Sequence, residues 1–159
     1  MNNAYLLIGG NEGDRSQYLQ QACDHISNHL GEIIEQSSIY ETAAWGKTDQ
    51  PNFLNQVLFV HTMLGAPSLM QNILYLEKKM GRLRNEKYSP RIIDIDILFY
   101  NEEIINQPEL VTPHPEIQNR RFALVPMVEI APQFIHPVLH KSISVLLQEC
   151  TDKLDVKKL

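Results

Sequence analysis

RIIDIDILFY, residues 91–100, decides the fold, because it reads as a β-strand and sets two acids inside it. Ile93, Ile95, Ile97 and Phe99 alternate with Asp94, Asp96, Leu98 and Tyr100, the period-two pattern of a half-buried strand. The alternation puts both carboxylates on one face, with Cα atoms roughly 6.6 to 7 Å apart, two strand rises. Like charges held this close call for positive partners.

Those partners gather nearby in sequence. Of the six arginines, Arg82, Arg84, Arg91, Arg120 and Arg121 fall between residues 82 and 121, and only Arg15 lies outside. The chain is otherwise acidic, with net charge −5 and pI near 5.6, which argues against a nucleic-acid partner. Guanidinium forks suit phosphate oxygens, so a small phosphorylated ligand competes with plain surface charge as the reason for the cluster. The acid pair is open in the same way. It suits Mg²⁺, which takes one or two carboxylates plus substrate phosphates, and it equally suits salt bridges to the arginines. GxxxxGK[ST] and GxGxxG are both missing, so side chains must hold any phosphate.

Outward from this strand the chain alternates strands and helices. Residues 4–9 read as a first strand, and a helix starts near Arg15 with Asp14 as N-cap, carries Leu19, Ala22, Cys23, Ile26 and Leu30 at helical spacing, and ends at Gly31. Residues 33–42 and 53–63 are β-like, joined by a loop over 43–52. Pro67, Leu69, Ile73, Leu76 and Met80 mark a second helix closed by Gly81. After the acid strand come a turn at 101–103, the PHP turn around His114, and two short helices near 116–130 and 142–150. The order predicts an α+β fold with a ferredoxin-like βαββαβ core: an antiparallel sheet, two helices on one face and C-terminal additions.

With 159 residues and 43% apolar content, one domain over residues 1–159 is expected. No leader or membrane span is legible, so a cytoplasmic protein is expected. Cys23 and Cys150 read as reduced thiols. Pro137, between His136 and His140, makes HPVLH a loop with surface or packing histidines rather than a metal-binding helix turn.

EKKMGRLRNEKYSPRIIDID, residues 77–96, resembles the signature of the 6-hydroxymethyl-7,8-dihydropterin pyrophosphokinases. AYLLIGGNEGDR, YETAAWGKTDQPNFLNQV and TPHPEIQNRRFALVPMVEIAP extend the resemblance nearly end to end. It implies transfer of pyrophosphate from ATP to the pterin hydroxymethyl group in folate biosynthesis, releasing AMP. It further implies that Asp94 and Asp96 hold two Mg²⁺ ions, and that Arg82 and Arg91 steady the triphosphate. Glu77, Arg84, Ile97, Thr112, His114 and Arg120 fall on the ATP side by the same resemblance. Thr42, Ala43, Trp45, Phe53, Asn55, Tyr88, Asp94 and Phe122 fall on the pterin side, Asn55 reading the ring edge and the two phenyl rings its faces. Segments 43–52 and 85–90 are expected to close over ATP. ATP and the pterin are the expected partners of a monomer, with neither nucleic acid nor membrane. The rival readings are a metal-dependent phosphohydrolase and a non-catalytic ligand-binding module.

Overall fold

The computed structural model describes residues 1–43, 49–81 and 92–159. Strand β1 (Asn2–Gly10) leads into helix α1 (Arg15–His29). The Asp14 carboxylate accepts from Gln17 N at 3.2 Å, a cap contributing about 1 kcal/mol. Leu19, Ala22 and Ile26 form its buried face, as their spacing predicts.

The stretch expected as one strand over 33–42 is two, β2 (Glu32–Gln36) and β3 (Tyr40–Thr42). Serine chemistry makes the break. The Ser37 hydroxyl accepts from Val57 N at 2.9 Å and donates to Ser38 O, offering the backbone an alternative to the ladder. Strand β4 (Phe53–Thr62) runs the length of both, and α2 (Ala66–Lys79) follows with proline in its first turn. Gly81, at φ +97, supplies the left-handed residue that stops it.

The acid strand is β5 (Asp94–Tyr100). Beyond it lie a small hairpin of β6 (Ile105–Gln107) and β7 (Leu110–Thr112), a 3-10 turn at Ile117–Asn119, α3 (Arg121–Ile130), α4 (Ile143–Glu149) and β8 (Val156–Lys158). The sequence pattern did not foretell β8, and its single helix over 116–130 is a 3-10 turn followed by α3.

The main sheet has the order β5-β1-β4-β3-β8, with β2 on the same side of β4 as β3, and its pairs are antiparallel. One face carries Ala4, Leu6, Ile8, Leu58, Ile95 and Ile97, packed against α1 and α2. The opposite face carries Leu7, Val57, Leu98 and Phe99 beneath α3 and α4. The expected C-terminal additions therefore cover much of the second face.

The strict alternation expected along residues 93–100 needs one correction. Register slips between Tyr5 and Leu6, so that Tyr5 pairs with Phe99 and Leu6 with Ile97, with Leu98 as the extra residue. A bulge of this kind reverses the phase of everything beyond it. Phe99 joins Leu98 on the α3 face, and Tyr100 turns to the α1 and α2 side. The two aspartates precede the bulge and keep their common face.

Candidate active site

At one end of the sheet β1 and β3 finish while β4 and β5 begin. Cross-strand pairing aligns Asp94 with Gly9, Gly9 with Asn55 and Asn55 with Tyr40, a row across four strands. One step inward, Asp96 aligns with Leu7 and Leu7 with Val57. Residues opposite one another share a face, so the acid pair and the Asn55 amide face the same side with Gly9 between them.

Gly9 is there for space. A Cβ at this position would lie 2.6 Å from Asn55 Oδ1 and 2.7 Å from Leu54 O. Asn55 is 4% exposed, and its Nδ2 donates to Thr42 Oγ1 at 3.1 Å, so the amide lies across β1 in a fixed orientation. Half-buried Phe53 pairs with Thr42 on the same face. Ala43 follows directly after β3.

Around Asp94 the other elements supply nitrogen groups. His114 N donates to Leu98 O at 2.9 Å, so the bulged residue holds the PHP turn against β5. Its Nδ1 accepts from Glu116 N at 3.1 Å, which leaves the ring proton on Nε2. Burial, then the Arg120 guanidinium, pull the His114 pKa down to about 4 against the opposing pull of Asp94 and Glu116. His114 is thus a neutral donor at pH 7. Arg120 stands just before α3, its Cζ 5.7 Å from the Phe122 ring centroid. Arg120 Nε is buried with no hydrogen-bond partner among the described residues, as suits a group that awaits an anion.

Three expected site residues have structural work. Glu77 is 1% exposed, and its Oε2 accepts from Ile95 N at 2.7 Å. Strand β5 is a sheet edge, so this carboxylate satisfies an outward N–H between the two aspartates. Ile97 is buried among the residues under α1 and α2, on the face away from the acids. Thr112 is buried at the end of β7, its hydroxyl 3.4 Å from Glu103 O. Trp45, Arg82, Arg84, Tyr88 and Arg91, and most of the two segments expected to close over ATP, lie outside the described residues.

Sequence reasoning missed Gly9, Asn11 and Arg15. Asn11, 1% exposed, donates through Nδ2 to Gln50 Oε1 and Pro51 O, both at 3.0 Å. Arg15 pairs with Glu41 at 2.8 Å and donates to Asn52 O at 2.9 Å. Both hold the approach to β4 against the end of β1. The signal was the GGN turn after the first strand, whose polar residue had no evident partner in the sequence.

No group of three or more His, Cys, Asp and Glu side chains able to hold a metal occurs among the described residues. Two hard carboxylates on one face match instead an ion that completes its shell with substrate oxygens, and on that ground the donor set fits Mg²⁺. No helix among the described residues is long and apolar enough to cross a membrane.

The sequence model of the 7,8-dihydro-6-hydroxymethylpterin-pyrophosphokinase (HPPK) family matches residues 5–132. A 2-amino-4-hydroxy-6-hydroxymethyldihydropteridine pyrophosphokinase of Aquifex aeolicus is 41% identical over 153 residues, covering 96% of this chain and 95% of that protein. The protein of the same name from Bacillus subtilis is 40% identical over 135 residues, 84% of this chain and 81% of its own. Among solved structures, Plasmodium falciparum HPPK-DHPS with pterin and p-hydroxybenzoate superposes with TM-score 0.77 at 21% identity, over 93% of this chain and 43% of that one. That likeness speaks for the fold.

The chain belongs to the 7,8-dihydro-6-hydroxymethylpterin-pyrophosphokinase family. It is a transferase, a pyrophosphokinase of folate biosynthesis that uses ATP as co-substrate.

Proposed function

We propose that the end of the sheet built from Asp94, Gly9, Asn55 and Thr42 is where the pterin hydroxymethyl group meets ATP. The observation that carries this reading is the row itself, an acid and an oriented amide facing one side across a glycine. Asn55 and Thr42 read the polar edge of the pterin, and Phe53 and Phe122 hold its faces, where a flat heterocycle gains burial and offset stacking. Ala43, Trp45 and Tyr88 complete that side.

On the other side Arg82, Arg84, Arg91 and Arg120 bind phosphate oxygens, with neutral His114 as a donor and Thr112 behind it. Glu77 serves by pinning β5, so that Asp94 and Asp96 stay in register, and Ile97 backs the strand. The pterin hydroxyl oxygen attacks the β-phosphorus of ATP. A bond forms between them as the bond to the α-phosphate bridging oxygen breaks, AMP departs with that oxygen and its electron pair, and the hydroxyl proton passes to solvent water. Two Mg²⁺ ions on Asp94 and Asp96 would neutralise triphosphate charge and acidify that hydroxyl. Positioning and charge neutralisation by the arginines supply the remainder, as in phosphoryl transfer generally.

The strand order β5-β1-β4-β3 with two helices on one face supports a ferredoxin-like core. The same reading makes residues 1–159 one domain that acts as a monomer in the cytoplasm. Incubation with ATP, Mg²⁺ and 6-hydroxymethyl-7,8-dihydropterin, with nucleotide products followed, is the test. AMP formed one for one with pterin diphosphate is expected. ADP or free phosphate would identify a hydrolase, and no turnover would identify a binding module.

A further inference from the structure

Residues 151–159 lie beyond residues 5–132, the stretch matched by the family's sequence model, yet they grip both walls of the pterin side. The first grip is Asp152. Its Oδ2 accepts from Arg121 N at 3.0 Å and its Oδ1 from Leu154 N at 3.0 Å. Arg121 opens α3, between Arg120 and Phe122, so the carboxylate secures the turn of backbone that carries both side chains.

The second grip is β8. It pairs Val156 with Thr42, Lys157 with Glu41 and Lys158 with Tyr40, and Leu159 N donates to Ile39 O at 3.0 Å. Strand β3 is three residues long, and without β8 it would be a sheet edge. Its residue Thr42 is what orients the Asn55 amide. A third link joins the same two walls from within. Glu129, near the end of α3, accepts from Tyr40 Oη at 2.7 Å, Ser38 N at 3.0 Å and Ser38 Oγ at 2.8 Å. Glu129 sets the far end of α3 against β3, and residues 151–159 set the near end, where Phe122 and Thr42 stand.

We propose that residues 151–159 are a positioning clasp for the pterin side of the site, fixing Phe122 relative to Thr42 and Asn55; this rests on the assignment of those three residues to the pterin. Asp94 and Asp96 stand on β5, and by position in the chain Arg120 alone of the residues assigned to ATP sits on the clasped turn. The clasp therefore acts mainly on pterin recognition, through Phe122, Thr42 and Asn55 together, and reaches ATP only through Arg120.

The test compares Asp152→Ala, Asp152→Asn, Lys157→Pro, Lys157→Ala and Asn55→Ala in the full chain. The readouts are thermal midpoints, KM for each substrate, kcat, and 6-hydroxymethylpterin binding in the presence of a non-hydrolysable ATP analogue. Proline at 157 removes a strand donor and breaks β8 pairing, whereas alanine there keeps it. Asparagine at 152 keeps one carbonyl acceptor where alanine keeps none.

Asp152→Ala and Lys157→Pro are expected to weaken pterin binding about tenfold and to raise the KM for ATP by no more than about threefold, the part that Arg120 carries. Asp152→Asn falls between, and Lys157→Ala matches the parent. Should Lys157→Pro fail to fold, Asp152→Ala decides alone. Equal losses for both substrates, or unchanged pterin binding in folded Asp152→Ala, overturn the clasp. Asn55→Ala separates the two levels. If it weakens pterin binding while the clasp variants do not, only the clasp is wrong; if it too leaves pterin binding unchanged, the site assignment fails and the clasp with it.

Discussion

Single residues set the reach of the site, and Gly9 shows how. A methyl group at this position would sit 2.6 Å from Asn55 Oδ1, closer than a carbon and an oxygen tolerate. Gly9→Ala must push the amide off Thr42 or spread β1 from β4, an overpacking cost of about 1–3 kcal/mol. Chemical denaturation should show that loss, and pterin affinity should fall with it while ATP affinity holds. Asp96 fails in the opposite manner. Asp96→Ala removes a proposed Mg²⁺ ligand and relieves repulsion with Asp94, so pyrophosphate transfer should be abolished in a protein that unfolds no earlier than its parent. Near-normal turnover at saturating Mg²⁺ would remove Asp96 from the metal site. The acids were legible because an aspartate in an apolar strand is conspicuous. Gly9 was not, since its importance lies in what stands opposite it on β4, and no local pattern reports that.

At the scale of elements, β5 is an edge strand that must hold two like charges in register. Glu77 does this from α2 by accepting from Ile95 N at 2.7 Å, and the Leu98 bulge then turns the strand's apolar residues toward α3. Glu77→Ala leaves a buried N–H without that acceptor, a cost of about 1–3 kcal/mol. Glu77→Gln retains an amide oxygen in its place and should lose clearly less. Urea midpoints of the two variants check the order, and equal losses would show that the hydrogen bond to β5 is not what matters. Periodicity found the helices here, with α1 starting at Arg15 behind Asp14 and α2 stopped by Gly81. It did not find the bulge or the break at Ser37, because each depends on a hydrogen bond or register chosen by a strand distant in sequence.

For the molecule as a whole, the second core under α3 and α4 carries a pH dependence. His136 is 4% exposed, its Nδ1 accepts from Val138 N and Leu139 N at 3.1 Å, and its ring meets Phe99 edge-on at 5.5 Å. Burial first and His140 second hold its pKa below the usual 6.5. Below about pH 6.5 the unfolded chain binds a proton that the folded chain resists, so this contribution is full above that pH and is lost as pH falls. Urea midpoints should drop between pH 7 and pH 5, and His136→Gln should show a shallower drop. A slope unchanged by the substitution would assign the acid sensitivity to other groups. The loop reading of HPVLH fits this packing role.

What the amino-acid sequence determined by itself was everything carried by spacing along one element: the acid pair on a common strand face, the apolar stripes of α1 and α2, the Asp14 and Gly81 boundaries, and the motifs that place the chain in its family. Such patterns are local, and local stereochemistry enforces them whatever the remainder of the chain does. The row from Asp94 through Gly9 to Asn55, the Glu77 carboxylate between the two acids, and the closing of α3 onto β3 by Asp152 and β8 were decided only in the tertiary structure. Each joins residues far apart in sequence through strand register or a buried hydrogen bond, and the free energy that selects one register over its neighbours comes from packing two sheet faces at once.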